Sequence, residues 1–175
     1  MRGLVSCVRH LEAGWRLPLA CVVAGTTACA QTSAPAATKE LGKPQPERER
    51  VPVEIAAETG SAHFSAEIAD DPGERAAGLM WRTSMKDEEA MIFLFPSEAP
   101  RSFWMKNTLI SLDMIFITSN KTILGVVEQA TPQTESPRGV PGESQYVLEI
   151  NGGLAKKVGI KAGQSVSFYA PIPSR

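Results

Sequence analysis

The sequence predicts a mainly β domain with one or two short helices, and three observations carry that expectation. Runs at 51–56, 62–68, 90–95, 102–106, 112–118, 122–128, 145–150 and 165–170 show strand-like apolar patterning, mostly with a period of two. Turn-forming residues separate these runs, and only two stretches carry helix signals. Roughly 120 residues follow position 51, enough for one domain with a core of its own.

The run at 51–56 opens the domain, and 62–68 follows it. Asp71-Pro72-Gly73-Glu74 then supplies an N-cap, a proline at the first helical position and a capping-box glutamate, which predicts a helix over 72–79. In 102–106, alternation puts Phe103 and Met105 on one face and Trp104 with Ser102 and Lys106 on the other. In 112–118, Leu112, Met114 and Phe116 share one face while Asp113 shares the other with Ile115 and Ile117. Both faces of that strand are apolar, so it is expected to be covered on both sides. Ser119-Asn120-Lys121 predicts a hairpin turn into 122–128. The stretch 131–142 holds three prolines and two glycines and reads as a long exposed loop, of a length that is often functional or mobile. A second helical turn is expected over 152–158, stopped by Gly159 before the last strand.

Residues 1–30 read as an export signal, because Arg2, Arg9 and Arg16 precede a short apolar run that ends in small residues. Ala28-Cys29-Ala30 fits ordinary small-x-small cleavage, whereas Thr27-Ala28-Cys29 resembles a bacterial lipobox, with Thr26 where such motifs usually have Leu and Cys29 as the lipidated first residue. Either reading expects an exported product, in the periplasm or held at the bacterial cell envelope, with a lipid as its sole membrane attachment. The apolar run falls far short of the ~20 residues a spanning helix needs. Residues 31–50 are rich in Ala, Thr, Pro, Glu and Arg without apolar periodicity, which predicts a disordered tether and leaves 51–175 as a single domain.

Composition excludes several chemistries. Cys7, Cys21 and Cys29 all precede the expected mature domain, so disulfides, thiol redox chemistry and Cys-ligated zinc are out. His63 is the one imidazole left, and an edge-strand histidine facing water is its expected state; no metal and no cofactor are predicted. Met80, Met85, Met91, Met105 and Met114 read as gap-filling side chains rather than a copper(I) set. Removing Arg2, Arg9, Arg16 and Glu12 with the leader leaves a net charge of about −3. No basic stripe invites nucleic acid.

The densest chemistry lies in Phe103-Trp104-Met105-Lys106-Asn107-Thr108 and the following Leu112-Asp113 with Phe116. With Arg75, Gly78-Leu79-Met80-Trp81-Arg82, Met91-Ile92-Phe93 and Leu148-Glu149-Ile150-Asn151 with Gly153, these residues resemble domain-of-unknown-function family 192 over roughly 53–168. The aromatic-Met-Lys-Asn-Thr string is the specific piece. Ala90 departs from the family, which usually has Gly before the Met. The resemblance implies a small barrel-like, mostly antiparallel sheet, frequently exported, with no settled activity. The segment 153–163 also looks like the helix-and-turn piece of PDZ domains, read here as a shared packing solution that anchors Leu154, Val158 and Ile160 in the core.

Asp113 and Glu149 are the acids expected inside the sheet. A buried carboxylate finds a cation and hydrogen bonds, or its pKa rises and it becomes a usable acid. Arg75, Arg82 and Lys106 are the candidate cations, and the favoured expectation has each acid tied to Arg or to backbone amides. Two functions follow from these groups. In the first, Trp104, Lys106, Asn107, Thr108, Asp113, Arg75 and Arg82 line a groove for a small polar molecule, an envelope glycan or a peptide. In the second, Asp113 and Glu149 form the acid and base of a metal-independent hydrolase of saccharides, which requires the two carboxyls to face one cleft about 5 to 9.5 Å apart.

Overall fold

The computed structural model describes residues 42, 46 and 48–170, which belong to the compact unit Lys39–Arg175. The expected leader, Cys29 and most of the tether lie outside the described residues.

The strands are β1 (Arg50–Ala57), β2 (Gly60–Ala69), β3 (Glu89–Ala99), β4 (Leu112–Ile117), β5 (Ile123–Ala130), β6 (Ser144–Asn151) and β7 (Val166–Phe168). They form one mixed sheet in the order β5-β4-β6-β3-β2-β1-β7, antiparallel at every pairing except β2 with β3. The two sheet edges meet where Thr122 bridges Ser165 and the Ile123 amide donates to the Gln164 carbonyl at 2.9 Å. The sheet is thereby a partly closed barrel, which protects edges that would otherwise template aggregation. Pairing begins before the expected start of the domain. The Glu49 carbonyl accepts from Ile68 N at 2.9 Å and the half-exposed Arg50 opens β1, so the last tether residues are drawn into the sheet.

Helix α1 (Pro72–Ala77) starts as its sequence dictates, with Asp71 Oδ1 accepting from Glu74 N at 2.7 Å. It ends earlier than expected, at Gly78, whose φ of 46° is left-handed and whose Cα faces the Phe93 ring so closely that a Cβ would sit 3.3 Å from it. Helix α2 (Leu154–Val158) is entered through Gly153 at φ 85° and left through Gly159 at φ 77°. Leu154 and Ile160 are buried, Val158 packs partly against them, and Lys156 and Lys157 stay exposed, as the packing reading of this segment expects.

Alternation along β3, β4 and β6 feeds two apolar layers. Ile92, Ile115, Leu148 and Ile150 face the barrel interior, while Met91, Phe93, Met114, Phe116 and Val147 face outward under a cover that includes Leu79 and Met105. Each such fully buried side chain contributes about 1.5–3 kcal/mol, so both layers matter to stability. The faces expected for Leu112 to Ile117 agree with this division.

One strand expectation fails. Residues 102–106 are not a strand: Phe103 makes an isolated bridge to Arg138, and Met105 N donates to the Thr134 carbonyl at 2.8 Å. The segment is held by the proline-bearing loop 131–142, whose prolines prevent a continuous ladder but whose free carbonyls still serve as partners. That loop is a strap against the 102–108 segment rather than a loose excursion. It passes so close to Arg101 that a Cβ at Gly139 would lie 2.5 Å from the Arg101 carbonyl oxygen. His63 is exposed, as expected, and pairs with Glu54 of β1 alone, because β2 pairs with β3 only over Ser65–Ala69.

Candidate functional site

Register places Glu67 on β2 beside Met91 on β3, Met91 beside Glu149 on β6, and Glu149 beside Met114 on β4. Paired residues share a face, so two buried acids stand in one row across the outer side of the sheet. Asp113 pairs with Ile150 and therefore faces the interior. The three acids meet three different fates.

Asp113 is fully buried and hydrogen-bonds backbone amides alone: Oδ1 accepts from Gln129 N at 2.7 Å and Gly153 N at 2.9 Å, and Oδ2 from Ala155 N at 2.8 Å. It substitutes for the missing side-chain cap of α2 and ties that helix to β4 and β5. Gly152 lets the chain come this near, because a Cβ there would lie 2.8 Å from the Ser111 Cβ.

Glu67 is fully buried and receives both guanidinium nitrogens of Arg82, Nη1 at 2.7 Å, together with Arg50 Nη2 at 2.7 Å. Arg82 is thus committed to a structural fork and does not line a ligand groove as the sequence suggested. Glu67 has the same signature as Asp113 and Glu149, an acid between buried apolar neighbours (Ala66 and Ile68), and that pattern was available to find it.

Glu149 is 4% exposed, yet none of the described residues hydrogen-bonds its carboxyl or pairs with it. Burial pushes its pKa up to about 8, so the group is protonated at neutral pH and can donate as well as accept. It sits at a cleft of about 380 Å³ between the end of α1 and the 101–108 segment. Phe93, Phe95 and Phe103 supply apolar wall, and Thr108 adds a hydroxyl. Trp104, 48% exposed, also lines the cleft, so the indole does not serve as core. Its alternation with the buried Met105 survives although the strand does not.

Arg75 and Arg101 complete the lining, and both approach the Phe95 ring, with guanidinium carbons 5.2 and 3.8 Å from its centroid. Arg75 Nη1 donates to the Leu94 carbonyl at 3.0 Å and to the Asp70 carbonyl; Arg101 donates to Ser97 O at 2.6 Å and Ser144 O at 3.3 Å. Neither has a carboxylate partner among the described residues. Burial and the neighbouring Arg75 charge lower the Arg101 pKa from its ordinary value. Arg101 escaped sequence reasoning because it precedes the aromatic string and belongs to no periodic run.

The other expected site residues stand apart from the lining. Lys106 pairs with Glu135 at 3.6 Å and lies over the Trp104 ring at 5.1 Å, so it braces the indole from outside. Asn107 takes a left-handed turn at φ 55°; its carbonyl accepts from Trp81 N at 2.9 Å and its amide reaches Met80 Sδ. The Asp113 and Glu149 carboxyls lie on opposite faces of the sheet, so they do not share the cleft that paired glycoside hydrolysis demands. No cluster of three or more His, Cys, Asp or Glu suited to a metal exists among the described residues.

Fold and site together define a small partly closed β barrel with a polar cleft on its outer face. The chain belongs to the DUF192 family, described as Uncharacterized ACR, which matches residues 53–168. It is similar to a crystal structure from Sinorhizobium meliloti 1021, a candidate transcription regulator, at 34% identity and TM-score 0.68 over 71% of this chain and 97% of that one. It is also similar to a protein of unknown function from Novosphingobium aromaticivorans DSM 12444, at 40% identity and TM-score 0.67 over 82% of this chain and 99% of that one. No curated protein matches the chain.

Proposed function

We propose that this protein is an exported, non-enzymatic accessory domain that binds a small polar ligand, a piece of an envelope glycan or peptide, in the cleft beneath Trp104. One observation carries the reading: a half-exposed Trp104 lines the same cleft as a buried carboxyl, Glu149, that has no hydrogen-bond or ionic partner among the described residues. At the wall of the cleft a carboxyl offers a hydrogen-bonding ligand both a donor, when protonated, and an acceptor. The aromatic wall gives contact area and the polar groups give orientation, the usual division of labour in small-molecule sites. A lone protonated acid without the paired carboxylate favours binding over saccharide hydrolysis.

Residues 1–30 support export, and Cys29 as an acylated first residue accounts for attachment to the envelope. Mass spectrometry of the mature N-terminus separates lipidation from simple cleavage. The two described helices, of six and five residues, are too short to serve as a groove-reading recognition helix. A screen of envelope glycan fragments and short peptides, read by isothermal titration calorimetry in the wild-type protein and in Trp104→Ala, tests the binding reading. Binding abolished by Trp104→Ala in a protein that still unfolds cooperatively supports it; ligands whose binding ignores that substitution contradict it.

A further inference from the structure

Resting on the binding reading above, we infer that the ligand of this cleft is a ring-bearing carboxylate, its anionic group held by Arg75 and Arg101 and its ring against the aromatic wall near Trp104. The two guanidiniums lie close enough for one to depress the other's protonation, and neither has an acidic partner among the described residues. Elsewhere on the same face the chain does the opposite, since Arg82 and Arg50 are both matched to Glu67. Two unmatched cations lining one cleft repel each other, and an arriving anion relieves that repulsion.

The guanidiniums are also pre-oriented. Arg75 is fixed by the Asp70 and Leu94 carbonyls and Arg101 by those of Ser97 and Ser144, which leaves other N–H groups of each fork without a partner among the described residues. Ordering is therefore mostly complete before a ligand arrives, and little side-chain entropy is lost on binding. Among the described residues Glu149 is the one acid lining the cleft, and in its neutral form it does not oppose an anion and offers an O–H to it. Phe93, Phe95, Phe103 and Trp104 make the remaining wall apolar and aromatic, which suits a ring more than a compact, fully hydrated ion such as phosphate.

The test titrates the full chain with two acid and neutral pairs, D-galacturonate against D-galactose and benzoate against benzamide, with inorganic phosphate as a separate arm. Tryptophan fluorescence and the Trp104 indole resonance are the readouts. The inference expects at least one acid to bind about tenfold or more tightly than its neutral partner, with affinity falling as NaCl rises. Binding by galacturonate alone assigns a saccharide source and by benzoate alone an aromatic source; both support the inference. Arg101→Gln should abolish the preference for the acid, and Arg101→Lys, which keeps the charge without the fork, should retain part of it. If Arg101→Gln unfolds, the salt dependence of the wild-type protein decides. Equal affinity for acid and neutral partner, phosphate binding as tight as either acid, or no binding by any probe overturns the inference. Glycan or peptide hits that depend on Trp104 but not on charge would leave the binding reading standing while this inference fails.

Discussion

Replacing Glu149 by Gln should stabilise the protein, and the gain should grow with pH. In the unfolded chain this carboxyl ionises near 4.5, whereas in the fold burial holds its proton to about pH 8. Between those values the native state binds more protons than the unfolded state, so stability falls as pH rises. At pH 7 the unfolded carboxyl is two and a half pH units past its midpoint while the native one remains mostly protonated. At about 1.4 kcal/mol per unit the group destabilises the fold by about 3 kcal/mol there, rising to about 5 kcal/mol above pH 8. Gln is isosteric with the protonated acid and removes this term. Urea unfolding of both proteins between pH 4 and 9, followed by tryptophan fluorescence, should give coincident midpoints near pH 4 and curves that diverge steadily above it. Parallel curves across the whole range would refute the reasoning, because they would mean that the carboxyl is solvated or paired.

Asp113→Asn should destabilise by about 3 kcal/mol, since one amide oxygen cannot serve three backbone N–H groups and the new NH₂ confronts donors; an unchanged urea midpoint would contradict this. Arg82→Ala should cost about 3–5 kcal/mol by leaving the buried Glu67 with Arg50 alone, and a loss below about 1 kcal/mol would show that the pair is not desolvated. Asn107→Gly should be neutral within about 0.5 kcal/mol while Asn107→Ala costs about 1 kcal/mol, the order that a left-handed turn imposes; the reverse order in thermal melts would remove the φ argument. Trp104→Ala should leave stability within about 1 kcal/mol, given its exposure, and a larger loss would return the indole to a packing role.

Much of the sheet was readable from the chain because burial on one or both faces fixes strand register through a period of two. Leu112 to Ile117 shows this most clearly, with every side chain on the face its position dictates. The helix at Asp71 was readable because its cap chemistry is local. What failed was non-local. The 102–106 segment has strand composition, but its partner is a proline-bearing loop about thirty residues onward, so pairing is limited to Phe103 and Met105. The same limit governs the site. The sequence marked Asp113, Glu149 and Arg75, yet the partner of each acid depends on which face it occupies and what crosses above it. Asp113 meets amides of α2, Glu67 takes the arginine expected elsewhere, and Glu149 is left for the cleft with an unforeseen Arg101.

A two-dimensional NMR titration of the isotope-labelled protein with the acid probes locates the bound ligand residue by residue. Shifts should concentrate at the Trp104 indole, the Thr108 amide and the Arg75 and Arg101 side-chain Nε–H groups, and the Glu149 carboxyl carbon should move with them. Shifts gathered around His63 and Phe64, or scattered with salt alone and absent from the Trp104 indole, would contradict binding in this cleft.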